Sequence, residues 1–470
     1  METEKKPPLP PSSSSLHIVM FPWLAFGHLI PFLHLAKSLA LSGHKVSFLS
    51  TPRNLSRLPK TPLIHLVSLP FPAVENLPPD AESSMDIPHH KAQFLKIAFD
   101  LLQSPLLHFL ETTTPTPDWI VYDYASHWLP GISSKLNISS AYFSLFSAAT
   151  MAFTGPPSLL LNGGRDASPE GLCVVPSWIP FESDVVYHPH EIAKYSEGAV
   201  GNESGTPDTV RFGLAVDGSD VVLFRTCVEF EPEWLDLIRD LYHPKPVIPV
   251  GVLPPEPNAD TAWTEVKGWL DEQRANSVVY VALGTEATLS QTELNELALG
   301  LEKSDLPFFW VLRNPPGFTG DYAGKMLPEG YRERVRGVVT TQWVPQASIL
   351  SHEAIAGFLT HCGWNSVIEG LASGHVLIML PVMNDQGLNA RLLVGKKVGV
   401  EIPRNERDGA FTSQAVADTM RFAVASDEGE RIRANAGRMK DVFGDGNRNQ
   451  SYINDCAAYF VKNKMHRWGR

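Results

Sequence analysis

Residues 343–386 read WVPQASILSHEAIAGFLTHCGWNSVIEGLASGHVLIMLPVMNDQ. Within them an apolar run, Ala356–Leu359, leads through Thr360-His361-Cys362-Gly363-Trp364-Asn365-Ser366 into a stretch of helical period, Asn365–Ala372. A second apolar run, Val376–Leu380, follows. Strand, tight turn, helix and strand make a βαβ unit, the crossover that two parallel strands require. The alternation extends outward on both sides. Strands are predicted at Val278–Leu283, Phe308–Leu312, Val338–Thr341 and Val398–Ile402, with helices at Gln291–Leu301 and Leu388–Val394. The amino-terminal half repeats the pattern, with a helix at Ile30–Leu41. Its strands are predicted at His17–Phe21, Lys45–Leu49, Ile64–Leu69, Trp119–Tyr122, Ser140–Phe143, Val221–Phe224 and Val247–Val250. A chain written this way is α/β, with two doubly wound, Rossmann-like domains facing a cleft.

Length agrees, since 470 residues at about 150 per domain allow two or three domains. Residues 1–15, rich in Pro and Ser, are expected to be a disordered leader, neither signal nor transit peptide. The first domain is expected over 16–248, a Pro-rich linker over 249–262 and the second domain over 263–450. Lys and Arg number 39 against 51 Asp and Glu, so the net charge is −12 and no basic run is present. Nucleic acid and anionic membrane are therefore poor partners. The longest early apolar run, Leu16–Phe26, is broken by His17 and Pro22 and falls short of the ~18 residues of a membrane span. Four scattered cysteines without a CxxC pair suggest buried thiols in a reducing cytoplasm.

Ligands of open α/β sheets bind beyond the carboxyl ends of the strands, so chemistry is sought there. GxGxxG after the first strand, the phosphate loop GxxxxGK(S/T), GxSxG and HExxH are all missing. No Asp-x-Asp is present, so a diphosphate would rest on backbone amides, hydroxyls and helix N-termini, with no metal. Gly27-His28-Leu29-Ile30-Pro31 occupies the turn after the first strand, where a histidine can take a proton from a substrate hydroxyl. A lone histidine there also reads as a helix cap. Asp123 ends the strand Trp119–Tyr122 and could orient that imidazole, although alone it reads as the cap of a helix near His127. In the carboxyl-terminal window, Asn365 and Ser366 at a helix start suit a diphosphate, and Glu369, Asp385 and Gln386 suit ribose and sugar hydroxyls. Trp343 offers a flat face for a base, and Gln346 a base edge or a ribose hydroxyl.

The window, with Gly27-His28-x-x-Pro31 and Asp123, resembles the signature of plant family 1 UDP-sugar-dependent glycosyltransferases, and the likeness runs from about Leu16 to Tyr459. Phrases such as Thr51-Pro52-Arg53-Asn54 are similar to the branch that extends sugars on flavonoids and terpenoids. The resemblance implies a GT-B fold, with the acceptor bound by the first domain and UDP-sugar by the second. It also implies a carboxyl-terminal helix over 451–470 that crosses back to the first domain. His28 would be the base and Asp123 its partner. Trp343 would stack on uracil, the Val344 backbone would bond the base, and Gln346 and Glu369 would hold ribose. His361, Asn365, Ser366 and Thr285 would hold the diphosphate beside Gly363. Trp364, Asp385 and Gln386 would contact the sugar.

The expected activity is inverting, metal-independent transfer of glucose from UDP-glucose, a co-substrate, to a hydroxyl of an apolar small molecule or its glycoside. No cofactor is implied, and a cytoplasmic monomer without membrane anchor is expected. The alternatives are rhamnose transfer from UDP-rhamnose and a nucleotide-sugar binding protein without turnover. Three positions depart from the signature. Thr285 stands where serine is usual and is followed by Glu286, expected to face the acceptor; Gly374-His375-Val376 replaces Gly-Val-Pro; and Ser144-Leu145-Phe146 leaves one sugar-contacting hydroxyl unassigned.

Overall fold

Runs such as HIVMF at His17–Phe21 and VVYVA at Val278–Ala282 are buried along their whole length, as the strands of a parallel sheet covered on both faces must be. The computed structural model describes residues 15–162, 164–166, 168–192, 203–257, 261–315, 318 and 320–464. The predicted leader up to 14, linker residues 258–260 and the terminal residues 465–470 lie outside them.

The first sheet has seven strands: β1 (His17–Phe21), β2 (Lys45–Ser50), β3 (His65–Ser68), β4 (Trp119–Tyr122), β5 (Ser139–Ser144), β6 (Val221–Phe224) and β7 (Val247–Pro249). Their spatial order is β3-β2-β1-β4-β5-β6-β7, all parallel. The second has six: β8 (Val278–Ala282), β9 (Phe308–Val311), β10 (Gly337–Thr340), β11 (Ile355–Thr360), β12 (Val376–Met379) and β13 (Gly399–Glu401). They run in the order β10-β9-β8-β11-β12-β13. Each order reverses once, between β1 and β4 and between β8 and β11. These are the two switch points at which such sheets open a crevice.

Register places the strand ends level at both crevices. Phe21 pairs with Tyr122, so the turn bearing His28 and the residue Asp123 leave the sheet side by side. Thr360 pairs with Ala282, so His361 and Thr285 do the same.

Two helix starts differ from expectation by four residues or more. The first helix covers Phe26–Leu41, four residues earlier than Ile30, so His28 stands in its first turn and Pro31 inside it. Pro31 has no N–H to give Gly27, four residues back, and the Gly27 carbonyl is left free for another donor. The last helix covers Gly446–Asn463 and starts ahead of 451 because the Asp445 carboxylate caps it at the amides of Asn447 and Arg448. It packs on the amino-terminal sheet: Phe460 stacks on Trp119 with ring centroids 4.3 Å apart, and its carbonyl accepts the Trp119 indole N–H at 3.0 Å. Among the described residues no helix is long and apolar enough to cross a membrane. All four cysteines are free thiols.

Candidate functional site

The facing ends of the two sheets enclose a cleft of about 1640 Å³. Single small-molecule pockets run about 300–1,000 Å³, so this one has room for two ligands. Thirteen of the fourteen residues singled out in the sequence line it, and the remaining one, Asp123, lies behind His28.

On the amino-terminal side, His28 Nδ1 is 2.8 Å from Asp123 Oδ2. That carboxylate is 2% exposed and also accepts the amides of Trp23 at 2.7 Å and Ala125 at 3.2 Å. An acceptor-only group fixed by two backbone donors makes His28 carry its hydrogen on Nδ1, which leaves Nε2 with a lone pair. Asp123 caps no helix near His127; the next helix begins at Leu129. Around the imidazole stand Tyr124 and Phe146, at 5.8 and 6.5 Å between centroids, and Phe212 stacks on Tyr124 at 4.6 Å. This wall is aromatic, and Asp208, Thr209 and Thr154 continue it with polar groups.

On the carboxyl-terminal side, β11 feeds helix Trp364–Ala372 through His361, Cys362 and Gly363. Gly284 has φ +79°, and a Cβ there or on Gly363 would stand 2.6 Å from His361 Nε2, so only glycine lets the loops close around that ring. Burial pushes the His361 imidazole down to about 4, so it is neutral, and its Nδ1 has no hydrogen-bond partner. Ser366 is nearly buried and Thr285 exposed, both on the cleft wall. Trp343 presents its ring 58% exposed, and Val344 is buried beside it. Gln346 donates to Glu369 Oε2 at 2.8 Å and accepts from the Tyr280 hydroxyl at 3.2 Å. Burial raises Glu369 to about 7, against the Gln346 bond and the charge of Arg225.

Four expected contacts are narrower than the residue types suggested. Gln386 Oε1 accepts the amides of Val382 and Met383, both at 2.9 Å, so only its amide nitrogen is left for a sugar. The Trp364 indole N–H is engaged by the Arg225 carbonyl at 2.9 Å. Asn365 bridges the domains, accepting from Arg225 and donating to the Gly27 carbonyl at 2.9 Å. Asp385, raised to about 6 by burial, accepts from Asn389 at 2.7 Å. Glu286 reaches across the cleft to the Ser84 hydroxyl, which puts it on the acceptor side.

Sequence reasoning passed over Arg225, Asn389 and the Ser147–Thr150 pair. The amide oxygen of Asn389 lies 2.9 Å from Ser147 Oγ and 3.2 Å from Thr150 Oγ1, so these hydroxyls stand at the domain junction where one was unassigned. Arg225 directly follows β6, a strand-end position that could have singled it out. Among the described residues no group of three or more His, Cys, Asp or Glu side chains is placed to hold a metal ion.

The family description "UDP-glucoronosyl and UDP-glucosyl transferase" matches residues 210–428. UDP-glycosyltransferase 91C1 of Arabidopsis thaliana is 54% identical over 94% of this chain and 96% of its own. Soyasaponin III rhamnosyltransferase of Glycine max is 42% identical over 94% of both. In three dimensions the chain is similar to Glycyrrhiza uralensis UGT73P12 complexed with glycyrrhetinic acid 3-O-monoglucuronide. The TM-score is 0.75 at 22% identity, over 95% of this chain and 96% of that one. The fold is GT-B.

Proposed function

Because the chain belongs to the UDP-glucoronosyl and UDP-glucosyl transferase family, and so is a UDP-glycosyltransferase, we propose that it moves glucose from UDP-glucose to a hydroxyl of an apolar small molecule or its glycoside, with inversion. The observation that carries this reading is the His28–Asp123 pair on the cleft wall. His28 Nε2 takes the acceptor proton while Asp123 stabilises the imidazolium that forms. The acceptor oxygen bonds to the anomeric carbon on the face opposite the diphosphate. The bond from that carbon to the diphosphate oxygen breaks, and UDP leaves with the electron pair. A binding protein without turnover has no use for such a base.

Metal-free departure of UDP is supported by donors the chain itself supplies: the start of helix Trp364–Ala372, Ser366, Thr285 and the neutral His361. Trp343 and the Val344 backbone receive the base, and Gln346 with Glu369 the ribose. An acceptor with a rigid apolar body is supported by Tyr124, Phe146 and Phe212, and sugar hydroxyls on it by Asp208, Thr209 and Thr154. A single chain supplies both walls of the cleft, in keeping with a monomer, and free thiols suit the cytoplasm.

The donor sugar has a second reading. Relatives named for rhamnose transfer, from Glycine max and Petunia hybrida, favour UDP-rhamnose as the alternative. With the Gln386 oxygen engaged, Asp385 and one amide nitrogen read the sugar. An axial 4-hydroxyl then costs one buried hydrogen bond, about tenfold. The test is to incubate the protein with UDP-glucose, UDP-galactose or UDP-rhamnose and a panel of flavonoid and terpenoid aglycones and glucosides, and to weigh the products. A mass gain of one hexose, with glucose preferred to galactose, is expected. Equal use of these two removes Asp385 and Gln386 as sugar readers, and a gain from UDP-rhamnose alone replaces the donor.

A further inference from the structure

Arg225 stands at the carboxyl end of β6, on the cleft wall, and is 1% exposed. Its Nε donates to the Val252 carbonyl at 2.9 Å and its Nη2 to that of Leu253 at 3.0 Å, both in the chain that joins the domains. Its Nη1 donates to Asn365 Oδ1, at the start of the helix that faces the cleft. Asn365 passes the contact on to the Gly27 carbonyl, which Pro31 leaves open, one residue before His28. From the other side, Asn449 of the last helix accepts the amides of Val252 and Leu253 at 3.0 and 3.1 Å. One hydrogen-bonded chain therefore joins the linker, the helix Trp364–Ala372 and the backbone next to His28.

Every acceptor of this guanidinium is a neutral oxygen. Three arginines are buried among the described residues. Arg211 pairs with Asp100 at 2.6 Å, and Arg391 with Glu191 at 2.7 Å and Glu401 at 3.2 Å. Arg225 makes no ion pair with a carboxylate among the described residues. Burial lowers it only to about 10, so it is charged at neutral pH. The Glu369 carboxyl acts on it through charge without forming an ion pair, and a buried cation matched only at that range is costly unless an anion arrives to meet it.

We propose that Arg225 is the counter-cation of the donor's diphosphate: a positioning residue that holds Asn365 against Gly27 and supplies the positive charge favouring UDP as leaving group. The proposal rests on the diphosphate site described under the proposed function. As the anomeric carbon–oxygen bond breaks, its electron pair goes to UDP, which then carries one more negative charge than it did as the sugar ester. The acceptor proton goes to His28. A cation near the diphosphate favours this more charged product over the substrate, which is the condition for raising the rate.

The test compares wild type with Arg225→Gln and Arg225→Lys, measuring UDP and UDP-glucose affinity by calorimetry, kcat, and thermal melting as the check on folding. Arg225→Gln is expected to weaken UDP by about ten- to a hundredfold, the scale of one charge pair at an effective dielectric of about 20, and UDP-glucose by a smaller factor. Arg225→Lys, with the charge kept, is expected to retain most of the UDP affinity at pH 7 and to lose it between pH 7 and 9, because burial lowers an ammonium as it lowers the guanidinium. Over that same interval wild type, whose Arg225 is lowered only to about 10, keeps its affinity. Equal weakening of UDP and UDP-glucose is the mark of a merely structural role and overturns the proposal, as does unchanged UDP affinity. If Arg225→Gln does not fold, the lysine variant decides: UDP affinity as flat with pH as that of wild type overturns the charge role. A wild-type protein that binds no UDP defeats the site reading itself, whereas UDP binding with unaltered discrimination in the variants defeats Arg225 alone.

Discussion

At the end of β11 the donor half draws Gln346, His361, Ser366, Glu369, Asp385 and Gln386 from 44 consecutive residues, and several meet within the same window: Gln346 with Glu369, Gln386 with the amides of 382 and 383. At the end of β1 the acceptor half depends on His28 meeting Asp123 across 95 positions, on a strand pairing, and on Phe146 and Phe212 arriving from two further segments to join Tyr124 beside Asp123. The donor side recognises one chemical constant, a nucleoside diphosphate, so its polar groups are preset by short-range bonds. The acceptor side presents the proposed base, His28, inside an aromatic wall whose shape is free to differ.

That contrast breaks most readily at His28. His28→Ala should lower kcat by on the order of 10²–10⁴ and leave UDP affinity, measured by calorimetry, near wild type. Loss of UDP binding in that variant would mean that the halves are not chemically separate. Asp123→Asn should cost somewhat less, about 10–10³-fold in kcat, because an amide oxygen can still accept the Nδ1 hydrogen while its nitrogen supports the wrong tautomer. Wild-type turnover would reduce Asp123 to a structural acceptor for the Trp23 and Ala125 amides.

Glu369 sharpens the donor side. Its carboxyl is raised to about 7 from an ordinary 4.5, so the fold prefers the protonated form. Stability from that preference is full below about pH 4.5 and is lost as pH rises through 7. Glu369→Gln removes the dependence, so between pH 5 and pH 8 wild type should lose melting temperature relative to the variant. Parallel melting curves over that interval would show that Glu369 is not held protonated. The smallest effect is expected from chelation: excess EDTA should leave the transfer rate almost unchanged if, as proposed, amides, hydroxyls and His361 serve the diphosphate. A rate abolished by EDTA and regained with Mn²⁺ would reassign the leaving-group chemistry.

Strand identities and order of elements were legible because continuous apolar runs of four to six residues, separated by helical period, have few readings other than a parallel sheet. The predicted strands fall within a few residues of those observed. The start of the first helix was misread by four residues, because Pro31 is a familiar first-turn residue and its tolerance deeper in the helix depends on Asn365, from the other domain, taking up the Gly27 carbonyl. Gln386 is expected from its type to contact the sugar, but residue type carries chemistry and not prior commitments. Its oxygen is claimed by two amides of the loop just before it.

Sequence by itself determined the class of fold, and it singled out the 343–386 window and the His28 and Asp123 side chains that the fold brings to 2.8 Å. Those readings depend on local spacing, where chain connectivity already restricts what can touch. Only the tertiary structure decided that Arg225 lies buried with no carboxylate ion-paired to it among the described residues, that Asn365 ties the helix Trp364–Ala372 to the Gly27 carbonyl, and that Ser147 and Thr150 meet Asn389 at the junction. These contacts join segments 140 to 338 residues apart. At such separations no periodicity relates the partners, and their meeting follows from how the two sheets are docked.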